Sequence, residues 1–137
     1  MQDHVDSTKN SEKNSGVYGM VSYGLSKDVF LFLKYGFASH QTNTFESGVE
    51  TGFSYKGIFS SRPQDVLTMG YAQANTSSEY KRINSSTDYE SVGELAYRVD
   101  VCDGISVTPD VQYIQNVGLS KTVEDAQVGT IRIEIEF

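Results

Sequence analysis

The stretch Gly129-Thr130-Ile131-Arg132-Ile133-Glu134-Ile135-Glu136-Phe137 places Ile131, Ile133, Ile135 and Phe137 at every second position, with Thr130, Arg132, Glu134 and Glu136 between them. Successive side chains of a strand point to opposite faces, so this segment carries one apolar face and one charged face. The same alternation suits a half-buried strand of a soluble β-sandwich. An end on an aromatic residue, without the polar residues into which soluble domains usually fray, favours the closing strand of an outer-membrane β-barrel, where aromatic residues mark the membrane interface. The two architectures differ in one respect: a sandwich buries its apolar face, whereas a barrel turns it to lipid.

Working back from this stretch, the same period recurs. Strands are expected over 16–25, 29–38, 48–59, 65–75, 89–99, 105–115 and 126–137, about seven in all. Val17, Val21, Tyr23 and Leu25 share one face of the first, and Tyr18, Met20, Ser22 and Gly24 the other. The second sets Val29, Leu31, Leu33, Tyr35 and Phe37 against Phe30, Phe32, Lys34, Gly36 and Ala38. In the third, Val49, Phe53, Tyr55 and Phe59 oppose Glu50, Ser54 and Lys56. Most of these segments have the length that crosses a bilayer at a tilt, longer than the usual soluble strand. Short turns near 26, 62 and 102 alternate with longer polar loops near 43, 82 and 120, as in a membrane meander with short periplasmic turns and longer outer loops. Residues 1–15 are polar and charged and read as a loop or disordered lead-in, leaving 16–137 as the strand region.

Composition agrees with an all-β chain. Among 137 residues there are 9 Tyr and 7 Phe, 12 Gly, 2 Pro and no Trp, a profile suited to pleated, half-buried surfaces. The mean hydropathy of −0.37 does not argue against a membrane, because barrel strands average apolar and polar residues. No apolar run approaches the roughly 20 residues of a membrane-crossing helix. A net charge of −7 excludes the basic surface that nucleic acid requires, so no nucleic-acid partner is expected. The first residues lack the apolar core of a signal peptide, which for an exported protein is simplest to explain if the chain is a fragment. Cys102 is the single cysteine and excludes an internal disulfide.

The charged residues gather opposite the apolar ones. Lys34, Glu50, Lys56, Glu90, Glu94, Arg98, Asp110, Gln112, Arg132, Glu134 and Glu136 fall on the polar face. In a sandwich they would be solvated; in a wide barrel they line a water-filled lumen. Both signs occur there, and hydroxyl-rich solutes can hydrogen-bond to both. Most such residues in any channel merely solvate the wall or pair across strands. Arg62, Pro63 and Asp65 read as a structural turn lock, Pro breaking the ladder and Asp satisfying turn backbone groups. Tyr18, Phe30 and Phe32 on the polar side could form an apolar stacking patch, or equally pack against a constriction loop or plug.

Particular strings carry a resemblance. Gly57-Ile58-Phe59-Ser60-Ser61-Arg62-Pro63-Gln64-Asp65-Val66-Leu67-Thr68-Met69-Gly70-Tyr71-Ala72 resembles the Gly-x-x-x-x-Arg-Pro-x-Asp turn of the carbohydrate-selective porins, the OprB family. Glu94-Leu95-Ala96-Tyr97-Arg98, followed by Val107-Thr108-Pro109-Asp110-Val111-Gln112-Tyr113-Ile114, is similar to that family's next hairpin. With the terminal strand, the likeness runs from about Gly48 to Phe137. It departs at Cys102-Asp103, where the family has Pro and an aromatic residue. The resemblance implies an antiparallel up-and-down porin barrel of roughly sixteen strands, of which this chain supplies the C-terminal seven or so. It implies passive diffusion of carbohydrates and small solutes or ions across the outer membrane of a Gram-negative envelope. Its partners would be carbohydrate solutes, outer-membrane lipid and the barrel-assembly machinery, with Phe137 in the assembly signal; a homo-oligomer is compatible with it. Glu94, Arg98 and Asp110 stand out because they lie in the matching strings.

No enzyme and no cofactor are expected. His4 and His40 are the available bases, both in polar loops, and neither a Gly-x-Ser-x-Gly elbow nor metal-ligand spacing occurs. Asn75-Thr76-Ser77 and Asn84-Ser85-Ser86 match a glycosylation pattern at chance frequency. The contrasting expectation is a soluble β-sandwich that binds a ligand or partner.

Overall fold

The computed structural model describes residues 15–39 and 43–137. The lead-in expected over 1–15 therefore lies, Ser15 apart, outside the described residues, as do His4 and His40. What folds is a single seven-stranded sheet in the order of the chain: β1 (Gly16–Gly24), β2 (Val29–Ala38), β3 (Phe45–Lys56), β4 (Val66–Thr76), β5 (Tyr89–Cys102), β6 (Ile105–Gln115) and β7 (Ala126–Ile135). Each strand pairs antiparallel with the next. No second sheet packs on it among the described residues, so the sandwich expectation is overturned. The meander of long antiparallel strands is that of an up-and-down barrel wall, open in this chain along β1 and β7.

The register decides the sidedness. Tyr35 pairs with Val49, Phe53 with Met69, Met69 with Leu95, Leu95 with Val111, and Val107 with Ile133. Away from irregularities beside Phe45 and Cys102, odd positions meet odd and even meet even in every pair. A slip of one residue in any pair would send half the sheet's side chains to the wrong face. All connections preserve this parity, so one face of the whole sheet is odd and mainly apolar while the other is even and carries the charged strand residues.

The odd face carries Leu31, Leu33, Phe53, Met69, Leu95, Val111, Ile131 and Ile133 in its middle, with Tyr55 and Tyr97 toward one end, where Phe59 of the following connection joins them, and Tyr35, Phe37, Tyr71 and Tyr113 toward the other. Rings meet edge to face at both ends: Tyr35 with Phe37 at 4.7 Å and Phe59 with Tyr97 at 6.1 Å between centroids. An apolar band between aromatic girdles is the outward surface of a membrane barrel. A conventional core is lacking: Leu119 is the buried hydrophobic residue among those described, and Ile131 is 74% exposed.

Boundaries differ from expectation in places. Only β2 and β6 begin and end where the alternation predicts, at Val29–Ala38 and Ile105–Gln115. β5 runs on to Cys102, past a register shift between Asp100 and Cys102, leaving Asp103 and Gly104 as the turn. Gly104 holds φ +78° there, and a Cβ would lie 2.7 Å from the Glu136 carbonyl oxygen, so glycine is required. β3 starts at Phe45, ahead of the expected 48, beside a bulge between Phe45 and Ser47. It also ends at Lys56, so Phe59 lies in the following connection rather than on the strand. That connection, 57–65, is not the short turn expected around 62 but nearly as long as the 116–125 loop. The 77–88 connection is not irregular throughout: it holds a short helix, α1 (Ser78–Asn84). Ser77 caps it by accepting the Tyr80 N–H, with Glu79 in the first turn and Lys81 and Arg82 in the last.

Candidate functional site

The even face is the chemically informative one: Lys34, Glu50, Lys56, Glu90, Glu94, Arg98, Asp110, Gln112, Arg132 and Glu134 all stand at even strand positions, whereas Glu136 lies beyond the end of β7. Lys34 and Glu50 are direct partners across β2 and β3, with Lys34 Nζ 3.5 Å from Glu50 Oε2. Glu94 on β5 faces Gln112 on β6, whose amide donates to Glu94 Oε2 at 3.2 Å. Asp110 accepts from the Thr130 hydroxyl through Oδ2, while its buried Oδ1 finds no protein partner among the described residues. Lys56 stands at the end of β3, opposite Val66.

At the end of the sheet bearing the 57–65 and 103–104 connections, three strands share a network. Arg98 Nε donates to Ser106 Oγ at 3.1 Å, and Ser106 donates on to Glu134 Oε2 at 3.1 Å. The Arg98 guanidinium also lies 3.7 Å from Glu134 and 3.8 Å from Asp100, and Arg132 lies 3.9 Å from Glu134. Four charges on β5 and β7 are thus balanced across β6, around a serine only 3% exposed. Ser106 and Asp100 were not singled out in the sequence; a small hydroxyl in an alternating strand gives no local signal of its position between two charged strands.

The turn residues form a lock. Asp65 is 1% exposed and accepts from Nε and Nη2 of Arg62, from the Tyr97 hydroxyl at 2.8 Å and from the Asp100 N–H at 3.0 Å. Arg62 also donates to the Asp100 carbonyl at 2.9 Å. Hydrogen bonding to Arg62 first, then to Tyr97 and the Asp100 amide, holds the Asp65 carboxyl down at about 2 against the opposing effect of its burial. The lock therefore ties the β3–β4 connection to the C-terminal part of β5. Pro63 sits beside Gly57, whose left-handed backbone brings it against the Pro63 carbonyl.

The even face is not uniform. Over β1 and β2 it shows Tyr18, Met20, Phe30 and Phe32; over β5 to β7 it shows Glu94, Arg98, Asp110, Arg132 and Glu134. Phe32 reaches across to Gly52, where an added Cβ would lie 2.8 Å from the edge of the ring. Between the two sectors runs a trough of about 580 Å3, walled by Tyr18, Lys34, Glu50 and Glu90.

The connections at the opposite end of the sheet from the lock are bonded to one another. Ser77 N–H donates to the Thr44 carbonyl at 2.8 Å, and Thr87 N–H to the Leu119 carbonyl at 3.0 Å, so the three loops of this rim are tied together. Glu90 belongs partly to them: its Oε2 accepts the Gly118 N–H at 2.6 Å. Leu119, buried with φ +58°, holds the 116–125 loop down in a conformation uncommon for a side chain of its size.

Comparison with known proteins gives this geometry a family. The model of the carbohydrate-selective porins, OprB family, matches residues 7–137. Porin B of Pseudomonas aeruginosa is 30% identical over an alignment covering 87% of this chain and 29% of that protein. The high-pH structure of Pseudomonas putida OprB superposes with a TM-score of 0.73 at 24% identity, covering 80% of this chain and 30% of that one. The chain thus spans less than a third of the length of these relatives, and the structural likeness establishes a shared fold.

Proposed function

This chain belongs to the OprB family of carbohydrate-selective porins, and from that premise we propose that it supplies adjacent strands to a closed, water-filled barrel through which carbohydrates diffuse passively. Small solutes and ions would pass by the same route. The observation that carries the proposal is the parity of the sheet, kept across all six strand pairs away from the irregularities beside Phe45 and Cys102. A single layer with an apolar, aromatic-girdled odd face and a charged even face has lipid on one side and water on the other. Further strands must pair with the open edges of β1 and β7, because unpaired backbone groups are not tolerated in hydrocarbon.

Transport would need no cofactor and no covalent step. A sugar presents hydroxyls that donate and accept, and the even face offers Lys34, Arg98 and Arg132 beside Glu50, Glu94, Asp110 and Glu134, with Lys56, Gln112 and Glu90 along the same wall. Each contact is weak and exchangeable with water, which lets a solute enter and also leave. Arg62, Pro63 and Asp65 act as the turn lock rather than as solute contacts. The outer membrane of a Gram-negative cell is the setting, lipid covers the odd face, and Phe137 contributes to recognition by the barrel-assembly machinery. Homo-oligomers would use the odd face.

The test is liposome swelling with the complete barrel that carries these strands. Vesicles in isosmotic glucose or maltose swell if the reading holds. Vesicles that conduct salt but exclude both sugars overturn it.

A further inference from the structure

Resting on the carbohydrate-channel reading, we propose that the trough between Tyr18 and Glu90 is a weak saccharide subsite, in which Tyr18 stacks on a pyranose ring while Lys34 and Glu50 bind its hydroxyls. The register builds the trough. Tyr18 pairs with Gly36, Gly36 with Gly48, Gly48 with Ala74 and Ala74 with Glu90, in one row across β1 to β5. Bulky walls therefore stand at the ends of a row whose middle three members have almost no side chain. The walls are four strand spacings apart, about 19 Å between backbones. The volume of about 580 Å3 falls in the range of small-ligand sites.

The chemistry of the walls selects the occupant. In the neighbouring row Lys34 and Glu50 lie side by side, and the Lys34 ammonium is 5.7 Å from the centre of the Tyr18 ring. A donor, an acceptor and an aromatic plane thus converge on one corner. A pyranose has the complementary parts: a C–H face that packs on an aromatic ring and a rim of hydroxyls that both donate and accept. An ion is a poor match, because the paired charges cancel and leave no net field to concentrate one sign. An apolar polypeptide segment is poorer still, since it would strip water from the Lys34–Glu50 pair without replacing its hydrogen bonds.

The experiment measures ionic current through the complete barrel in a planar bilayer while maltose is added. The subsite predicts a saturable fall in current. Tyr18→Ala, which removes the stacking plane, and Ala74→Leu, which fills the floor, each raise the half-blocking concentration about tenfold, while Tyr18→Phe keeps it near the original. Should one variant fail to insert, Glu50→Gln reports on the hydroxyl contacts in its place. Unchanged half-blocking concentrations in the variants, or a current that falls linearly without saturation, overturn the subsite and leave the sugar channel standing. Exclusion of sugars in the swelling assay overturns both.

Discussion

Met69 and Ala72 stand on the same strand, close in sequence, yet face different solvents. Met69 lies between Phe53 and Leu95 on the odd face; Ala72 lies between Glu50 and Val92 on the even one. Their backbones are equally well hydrogen-bonded, so the difference between the two regions is set by parity alone. The comparison is broken most directly by placing a charge on each. Met69→Arg is expected to cost about 2–4 kcal/mol of folding stability, the penalty for Arg near the bilayer midplane on a barrel's lipid face. Ala72→Arg is expected to stay within about 0.5 kcal/mol, as for an exposed substitution. Urea titration of the complete barrel in phospholipid vesicles measures both. Equal losses would mean that the odd face does not meet lipid.

Parity must also survive the connections, and the 57–65 segment is where it is most actively enforced. The Asp65 lock bonds this connection to Tyr97 and Asp100, more than thirty residues on. Asp65→Asn is expected to lower the urea midpoint by less than Met69→Arg does, and with a pH dependence. The native carboxyl ionises at about 2, below the roughly 3.9 of an unfolded Asp. Its contribution is therefore fully present above about pH 4 and lost as pH falls through about 2. The gap between wild type and variant should close over that window; a gap independent of pH would remove the carboxylate from the lock.

Much of this was legible in the residues. Strict alternation gave the strands, the apolar face and the charged face, because a period of two needs no tertiary information. Arg62, Pro63 and Asp65 announced a turn. What was not legible is contact at long range. Nothing local says that Tyr97 reaches Asp65, or that Ser106 lies between Arg98 and Glu134. The helix Ser78–Asn84 was hidden for another reason. It is a single short segment held by its Ser77 cap and by the loop bonds around it, too short for helical periodicity to show. Glu90 illustrates the remaining gap: its position gave the face correctly, whereas its hydrogen bond to the Gly118 amide depends on a loop whose path alternation does not specify.

On the even face itself, the aromatic sector of β1–β2 and the charged sector of β5–β7 should separate in their effects. Glu134→Gln leaves Arg98 and Arg132 with less compensating charge and is expected to lower the cation-to-anion permeability ratio by on the order of twofold. Phe32→Ala, remote from that network, should leave the ratio near its original value. Reversal potentials in a salt gradient read both, and a ratio insensitive to Glu134 would take the network out of the conducting wall.

The smallest effect concerns the residue that belongs to both the wall and the loops. A carboxylate accepting a backbone N–H is a stronger acceptor than an amide oxygen, so Glu90→Gln should loosen the 116–125 loop without unfolding the sheet. Hydrogen exchange at Gly118 is expected to quicken about tenfold, while the amides of β5 and β6 keep their protection. Were exchange at Gly118 unmoved, Glu90 would be free to act on the lumen like Glu94. The far wall of the trough would then be a charge facing the solute, rather than a loop anchor whose remaining oxygen alone looks inward.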